Sequence, residues 1–227
     1  MKVIELKETV TASNDRDADA LREELNLRGI LLVNLMSGPG AGKTTLLSRT
    51  IRDLTDLRIA VLEADLDATV DAETIEALGA RAIQAHTDGM CHMDAGMTRV
   101  GLDALGTEQT DLVFLENVGN LICPAEFDTG AQLRVMILSI PEGDDKPLKY
   151  PLMFRESDAL ILSKLDALPY FDFDLDKCIQ RAKRLNPKIQ VFPLSAKTGE
   201  GMTAWEAWLR EKLIRRKPSD RKGERDA

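Results

Sequence analysis

The chain has 227 residues, with 30 lysines and arginines against 38 aspartates and glutamates, giving a formal charge of −8. That length suits one α/β domain, or at most two small ones, with a core that needs no staples, and the acidic balance argues against broad nucleic-acid or anionic-membrane binding. At 44% hydrophobic and 30% charged, the composition is that of a folded, soluble protein and excludes a disordered one.

The first residues, Met1 to Glu5, lack the apolar core of a signal peptide. No apolar run reaches the roughly 18 residues that a spanning helix needs. Three widely spaced cysteines cannot form a closed disulfide set, so a cytoplasmic, reducing setting is expected. Residues 14–28 place leucines at 21, 25 and 27 among polar residues, which predicts an amphipathic helix packed on the domain's edge, capped by Asn14 or Asp15 and ended by Gly29. Residues 30–36 form a short apolar run, the sign of a strand buried on both faces. A Gly-rich turn and a helix over 43–54 follow. Then come a strand at 58–62, a helix at 70–78, a strand at 81–85, a helix at 94–105 and a strand at 111–115. Three more strands are predicted at 134–140, 159–162 and 189–192, with helices at 174–185 and 201–214. Strands alternating with helices imply right-handed crossovers and an α/β fold with a mostly parallel sheet, covered by helices on both faces.

The strongest motif is Ser37-Gly38-Pro39-Gly40-Ala41-Gly42-Lys43-Thr44-Thr45, a Walker A loop with Ser37 where the first glycine is usual. A buried strand precedes it and a helix follows, as a P-loop NTPase requires. Glycines let backbone N–H groups converge on phosphate oxygens, and the helix N-terminus adds partial positive charge. Lys43 is expected on the β- and γ-phosphates and the Thr44 hydroxyl on Mg²⁺. Residues 29–214 therefore read as a P-loop GTPase domain, 1–28 as an N-terminal segment with a helix, and 215–227, charged and without an apolar anchor, as a flexible tail.

The choice of base falls to two later segments. Ser163-Lys164-Leu165-Asp166 ends a predicted strand and resembles the Asn-Lys-x-Asp guanine signature, with Ser163 in place of Asn. Asp166 would accept from the guanine ring N–H and its exocyclic amine, a donor pair that adenine lacks. The stem of Lys164 would cover the ring. Ser195-Ala196-Lys197 closes another strand, as the fifth GTPase motif does. These points favour GTP and GDP. A surface Lys-Asp pair is the plain alternative.

Residues 111–119 form a strand that ends in Glu116, with Gly119 three positions on, similar to the Asp-x-x-Gly switch. Glu116 is expected to hold Mg²⁺ directly or through water, and the Gly119 N–H to meet the γ-phosphate. Asp65, Asp67 and Asp71 follow the second strand; Asp65 and Asp71 are favoured for the Mg²⁺ shell or for positioning water, with helix capping as the alternative for Asp71. A second metal site is suggested by adjacent Cys91 and His92, after the third strand, and by Cys123. Two thiolates and an imidazole suit Ni²⁺ or Zn²⁺ and not Mg²⁺, and Asp94, water or a second subunit could complete the shell. Cys178 sits at an apolar-face spacing and reads as core; His86 reads as structural or surface.

Together the P-loop, Cys91-His92-Met93-Asp94, the run from Glu116 through Cys123 to Pro124, and Ser163-Lys164-Leu165-Asp166 resemble the HypB family, GTPases that assist nickel insertion into [NiFe] hydrogenase. The resemblance covers roughly residues 27–213. It implies a GTP-hydrolysing homodimer with a Ni/Zn site at the subunit interface, and partnership with the nickel chaperone HypA and the hydrogenase large subunit. No cysteine precedes Cys91 and only two histidines occur, so the Cys-x-x-Cys-Gly-Cys motif and the His-rich segment of some members have no counterpart in this sequence, and nickel storage is not expected. Competing readings are the urease-type nickel GTPase, whose metal motif is Cys-Pro-His, a P-loop small-molecule kinase, and a metal-binding adaptor with a vestigial P-loop.

Overall fold

The computed structural model describes residues 6–65, 74–87 and 89–215. Seven strands, β1 (Leu31–Ser37), β2 (Ile59–Asp65), β3 (Arg81–His86), β4 (Leu112–Glu116), β5 (Leu133–Ser139), β6 (Ala159–Ser163) and β7 (Gln190–Pro193), form one sheet in the order β3-β2-β4-β1-β5-β6-β7. Every pairing is parallel, so the sheet is more uniform than the mostly parallel one expected. The helices are α1 (Leu6–Leu27), α2 (Lys43–Asp53), α3 (Ala95–Leu105), α4 (Cys123–Glu126), α5 (Lys146–Lys149), α6 (Pro151–Arg155), α7 (Leu175–Leu185) and α8 (Met202–Ile214).

Because side chains alternate along a strand, the central strand feeds both faces. Leu31, Val33 and Leu35 of β1 pack with Leu46, Leu47 and Ile51 of α2 and with Trp205 and Leu209 of α8. On the opposite face Leu32 meets Leu21 and Leu25 of α1 and Leu102 of α3. Farther along that face, Met36 joins Met153 and Phe154 of α6 and Ala182 of α7. Cys178 is fully buried in this last cluster, and burial drives its thiol up to about 12, so it is core as read.

Two readings of the N-terminal helix need correction. The helix begins well before residue 14, so neither Asn14 nor Asp15 caps it. Nor does it sit at an edge: Leu21 and Leu25 are almost completely buried against the sheet, each worth about 1.5–3 kcal/mol of burial. Its end is as read. Gly29, at φ 68°, turns the chain, with Ile30 N–H donating to Leu25 O at 2.9 Å and Gly29 N–H to Asn26 O at 3.2 Å. The helix read over 70–78 is helical at 74–76, and its earlier part lies outside the described residues, as does the tail from 216 onward.

Parallel strands all give out at the same edge, and the loops that follow β1, β2, β4, β6 and β7 gather there. The chain leaves β1 toward β2 and leaves β4 toward β5, on opposite sides of β1. Such a reversal opens the crevice in which α/β sheets bind ligands.

Gly201 opens α8 at φ 74°, and a β-carbon there would lie 2.2 Å from Pro193 O and 3.0 Å from Leu194 Cα. Gly201→Ala should cost about 2–3 kcal/mol in urea unfolding. Gly79, also at positive φ but facing open space, should cost only about 1 kcal/mol on the same change. Equal losses at the two positions would remove the clash as the cause.

Candidate functional site

The P-loop joins β1 to α2. Gly40 and Gly42 adopt φ of 71° and 96°, which turns the loop around a hollow and leaves the first N–H groups of α2 facing it. A β-carbon at Gly38 would stand 2.7 Å from Glu142 Oε1, so that carboxylate would have to move aside. Ser37 does more than substitute for glycine. Fully buried, it donates to Gly38 O at 2.7 Å and accepts from Lys43 Nζ at 3.1 Å. Lys43 Nζ also stands 3.9 Å from Glu116 Oε1.

Around this loop lies a cavity of about 540 Å³, bounded by residues 39–45 in part, Glu63, residues 116–119 and Lys164. Glu63 was not anticipated from sequence. It lies directly beside Glu116 in the β2–β4 register, and both are buried. It falls one residue past the strand read at 58–62 and two before Asp65, inside β2 as the structure extends it. The expected Mg²⁺ acids fare differently: Glu116 faces the cavity, Asp65 ends β2 with its side chain outside the described part, and Asp67 and Asp71 lie outside the described residues. Thr44, Glu63 and Glu116 are hard oxygen donors at one place, a set that fits Mg²⁺. Gly119 abuts the P-loop so closely that a β-carbon would be 3.3 Å from Pro39 N and Cα.

On the β6 side, Ser163 donates to Ala41 O and Lys164 Nζ to Gly40 O, both at 2.7 Å. These bonds brace the P-loop from behind and give a reason for serine at position 163. Lys164 is in the left-handed region at φ 58°, the one non-glycine residue there among the described residues. Asp166 is half-buried and accepts from Ser195 Oγ at 2.6 Å, which aims its carboxylate. Ser195 in turn accepts from Thr198 N–H at 3.2 Å. Ala196 packs on the core, and Lys197 is exposed.

A larger groove, about 740 Å³, opens at the opposite edge beside Arg58 and Arg81. Its arginines are committed, Arg58 to Asp111 and Arg81 to Thr110 and Gly106 O, and none of the motifs reaches it.

Cys91, His92 and Cys123 come together with their ligand atoms within 4.8 Å of one another. The two sulfurs are 2.7 Å apart as free thiols, and His92 Nδ1 is 3.8 Å from Cys91 Sγ. His92 stacks on Phe127, with centroids 3.8 Å apart and planes at 16°. Asn120 accepts from Ile122 N–H at 2.7 Å and from Cys123 N–H at 3.3 Å, and its amide lies 3.6 Å from Cys123 Sγ. Burial holds the His92 imidazole below its ordinary value, against the pull of Asp94 and Glu126. The neighbouring Cys91 sulfur, and then burial, raise the Cys123 thiol. Asp94, one option for a further ligand, caps α3 by accepting from Met97 N–H at 2.8 Å. His86 is exposed at the end of β3. Three soft or borderline donors with two sulfurs half-exposed form an open site for a thiophilic divalent ion.

Residues 31–193 match the family described as CobW/HypB/UreG, nucleotide-binding domain. The hydrogenase maturation factor HypB of Rhizobium leguminosarum bv. viciae is 46% identical over 216 residues, 95% of this chain and 72% of that protein. The crystal structure of HypB from Helicobacter pylori in complex with nickel superposes with a TM-score of 0.85 at 35% identity, covering 93% of this chain and all of that one. The structure of hydrogenase maturation factor HypB from Archaeoglobus fulgidus gives 0.83 at 36% identity, covering 89% and 99%.

One Ni²⁺ or Zn²⁺ ion per chain should bind, and Cys91→Ala, His92→Ala and Cys123→Ala should each lose it, whereas Cys178→Ala should not. Burial disfavours the charged form of His92, and cysteines ligate only as thiolates. Affinity should rise with pH between about 6.5 and 8, up to roughly tenfold per unit for each proton released. Competition against a chromophoric chelator measures this, and a flat profile would exclude thiolate ligation.

Proposed function

Since this chain belongs to the CobW/HypB/UreG family, and within it to the HypB maturation factors, we propose that it is a GTP-hydrolysing metallochaperone that delivers nickel for [NiFe] hydrogenase assembly. The observation that carries this reading is one short segment, residues 116–123. It lines the nucleotide cavity at Glu116 and Gly119 and supplies the metal-cluster ligand Cys123.

GTP would enter with its phosphates on the P-loop N–H groups. Lys43 would leave Ser37 and Glu116 for the β- and γ-phosphate oxygens, a stronger charge partner. Thr44 and Glu116, with Asp65 and Asp71 as proposed helpers, would hold Mg²⁺, which supplies positive charge to those phosphates. Asp166, with Ser195 on one oxygen, keeps lone pairs free for the guanine N–H and amine, while the Lys164 stem covers the ring. Water attacks the γ-phosphorus and the β–γ bridging oxygen leaves with its electron pair, giving GDP and phosphate. No arginine lines the cavity among the described residues, so turnover should be slow, on the order of 10⁻³ s⁻¹.

The nickel ion is cargo here, and zinc satisfies the same donors. Met90 and Ile122, each one residue before a cysteine of the cluster, are exposed, at 42% and 56%. That apolar rim supports a homodimer in which the second copy shields the cluster and completes its shell. HypA and the hydrogenase large subunit are proposed as donor and acceptor of the ion on the family resemblance. Three free cysteines suit the reducing cytoplasm, and no helix among the described residues is long and apolar enough to cross a membrane.

Lys43→Ala should abolish hydrolysis without unfolding the protein. Asp166→Asn should weaken GTP far more than ATP, since it presents an N–H where guanine also donates. Equal weakening of both nucleotides would show that Asp166 does not read the base, and an ATP preference in the wild type would favour a kinase. Metal affinity with a GTP analogue should differ from that with GDP by about 5- to 150-fold. Titrations of Ni²⁺ in each nucleotide state read this ratio, and a ratio of one would leave two independent sites.

A further inference from the structure

The nucleotide cavity and the metal cluster are joined by side chains as well as by the chain itself. Asn117 follows Glu116 and is fully buried. Its backbone N–H donates to Leu35 O at 3.0 Å, one position beyond the end of β4. Its carboxamide oxygen accepts from Met93 N–H at 3.2 Å and from Val118 N–H at 2.9 Å. Its Nδ2 donates to Asn34 Oδ1, on β1, at 3.2 Å. Met93 is the residue after His92, and Val118 the residue before Gly119. A single oxygen atom therefore bonds the backbone beside a metal ligand and the backbone beside the γ-phosphate sensor.

The other half of this buried pair is incomplete. Asn34 is fully buried, and its Nδ2 has no hydrogen-bond partner. A buried donor left open is costly. Any displacement of Val118 therefore pulls on the same oxygen that holds Met93 N–H, and Asn34, with one donor already open, is among the described residues the only side chain bonded to the other end of this carboxamide. A shared acceptor between two segments is a physical link through which coupling between sites can run.

A second buried carboxamide provides a contrast. Asn14 of α1 accepts from Ala95 N–H at 3.0 Å and donates to Asp128 O at 2.9 Å. It ties the start of α3, just past Asp94, to the chain just past Phe127, and so holds the two ligand-bearing segments together. It does not line the nucleotide cavity.

We propose that Asn117, paired with Asn34, is the positioning residue that transmits nucleotide state to the Cys91–His92–Cys123 cluster, while Asn14 sets the cluster's geometry alike in both states. The proposal rests on the nucleotide–metal coupling inferred above. A shift of Val118 and Gly119 toward the γ-phosphate withdraws one of the two donors on the Asn117 oxygen and reorients the carboxamide. The Met93 N–H then keeps or loses its acceptor according to the nucleotide bound, and the His92 ring next to it is displaced.

The test is Ni²⁺ titration of the full chain with a non-hydrolysable GTP analogue and with GDP, for the wild type, Asn117→Ser, Asn34→Leu and Asn14→Ala. The wild type should show a ratio of about 5- to 150-fold between the two states. Asn117→Ser and Asn34→Leu should still bind one ion per chain, with the ratio collapsed to within about twofold of one. Asn14→Ala should weaken both states by the same factor and keep the ratio. A merely structural role for Asn117 would also lower both affinities together, so an intact ratio in Asn117→Ser or Asn34→Leu overturns the assignment. A ratio lost equally in Asn14→Ala overturns it too. If Asn117→Ser does not fold, Asn34→Leu, at the other end of the same hydrogen bond, decides. A wild-type ratio of one overturns the coupling itself and this proposal with it.

Discussion

Seven parallel strands share one edge at which every strand gives out, and this constraint arranges everything else in the molecule. A parallel sheet must be buried on both faces, so α2 and α8 cover one side and α1, α3, α6 and α7 the other. The chain can then be free of packing only in the loops at the strand ends. The P-loop after β1, the acidic ends of β2 and β4 and the guanine-type segments after β6 and β7 all open on one side of the sheet. The cysteine and histidine after β3 meet the cysteine after β4 through the same geometry.

The acids within this edge are partly offset by one lysine. Glu63 and Glu116 lie buried side by side, which is unfavourable unless positive charge is near. Lys43 stands 3.9 Å from one of them. A hydroxyl at position 37 gives that ammonium an acceptor at 3.1 Å, and so holds the side chain inside the loop instead of letting it extend into solvent. Bonds from Ser163 and Lys164 to the carbonyls of Ala41 and Gly40 stiffen the loop from the other side. The P-loop is therefore held by side-chain bonds on both sides.

The Cys91–His92–Cys123 cluster is built on different principles. Its two cysteines are half-exposed and its histidine is clamped by stacking on Phe127. Rigidity comes from side-chain amides on the surrounding backbone: buried Asn117 on Met93 and Asn14 on Ala95 and Asp128, and half-buried Asn120 on Ile122 and Cys123.

The sequence by itself determined the elements whose signals are local. Apolar runs and glycine punctuation marked seven strands, Gly29 marked the end of α1, and the Ser37–Thr45 run announced a phosphate loop, because periodicity and backbone freedom are properties of neighbouring residues. The spacing of Cys91, His92 and Cys123 suggested a shared site, but only the parallel order of β3, β2 and β4 brings their loops together. What the sequence could not show depended on partners far along the chain. Asn14 looked like a helix cap because Asn, Ser and Asp favour that place; its true partners, Ala95 and Asp128, are 81 and 114 residues away. Glu63 falls just past the strand read at 58–62 and drew no expectation until the register set it beside Glu116 at the cavity. Ser37 and Ser163 looked like imperfect motif letters until their hydroxyls were seen to hold Lys43 and Ala41. Asn117 was one letter of a recognisable run. Only the fold placed its carboxamide between Asn34 and Met93, since a buried polar side chain takes its role from whatever tertiary structure sets within hydrogen-bonding distance.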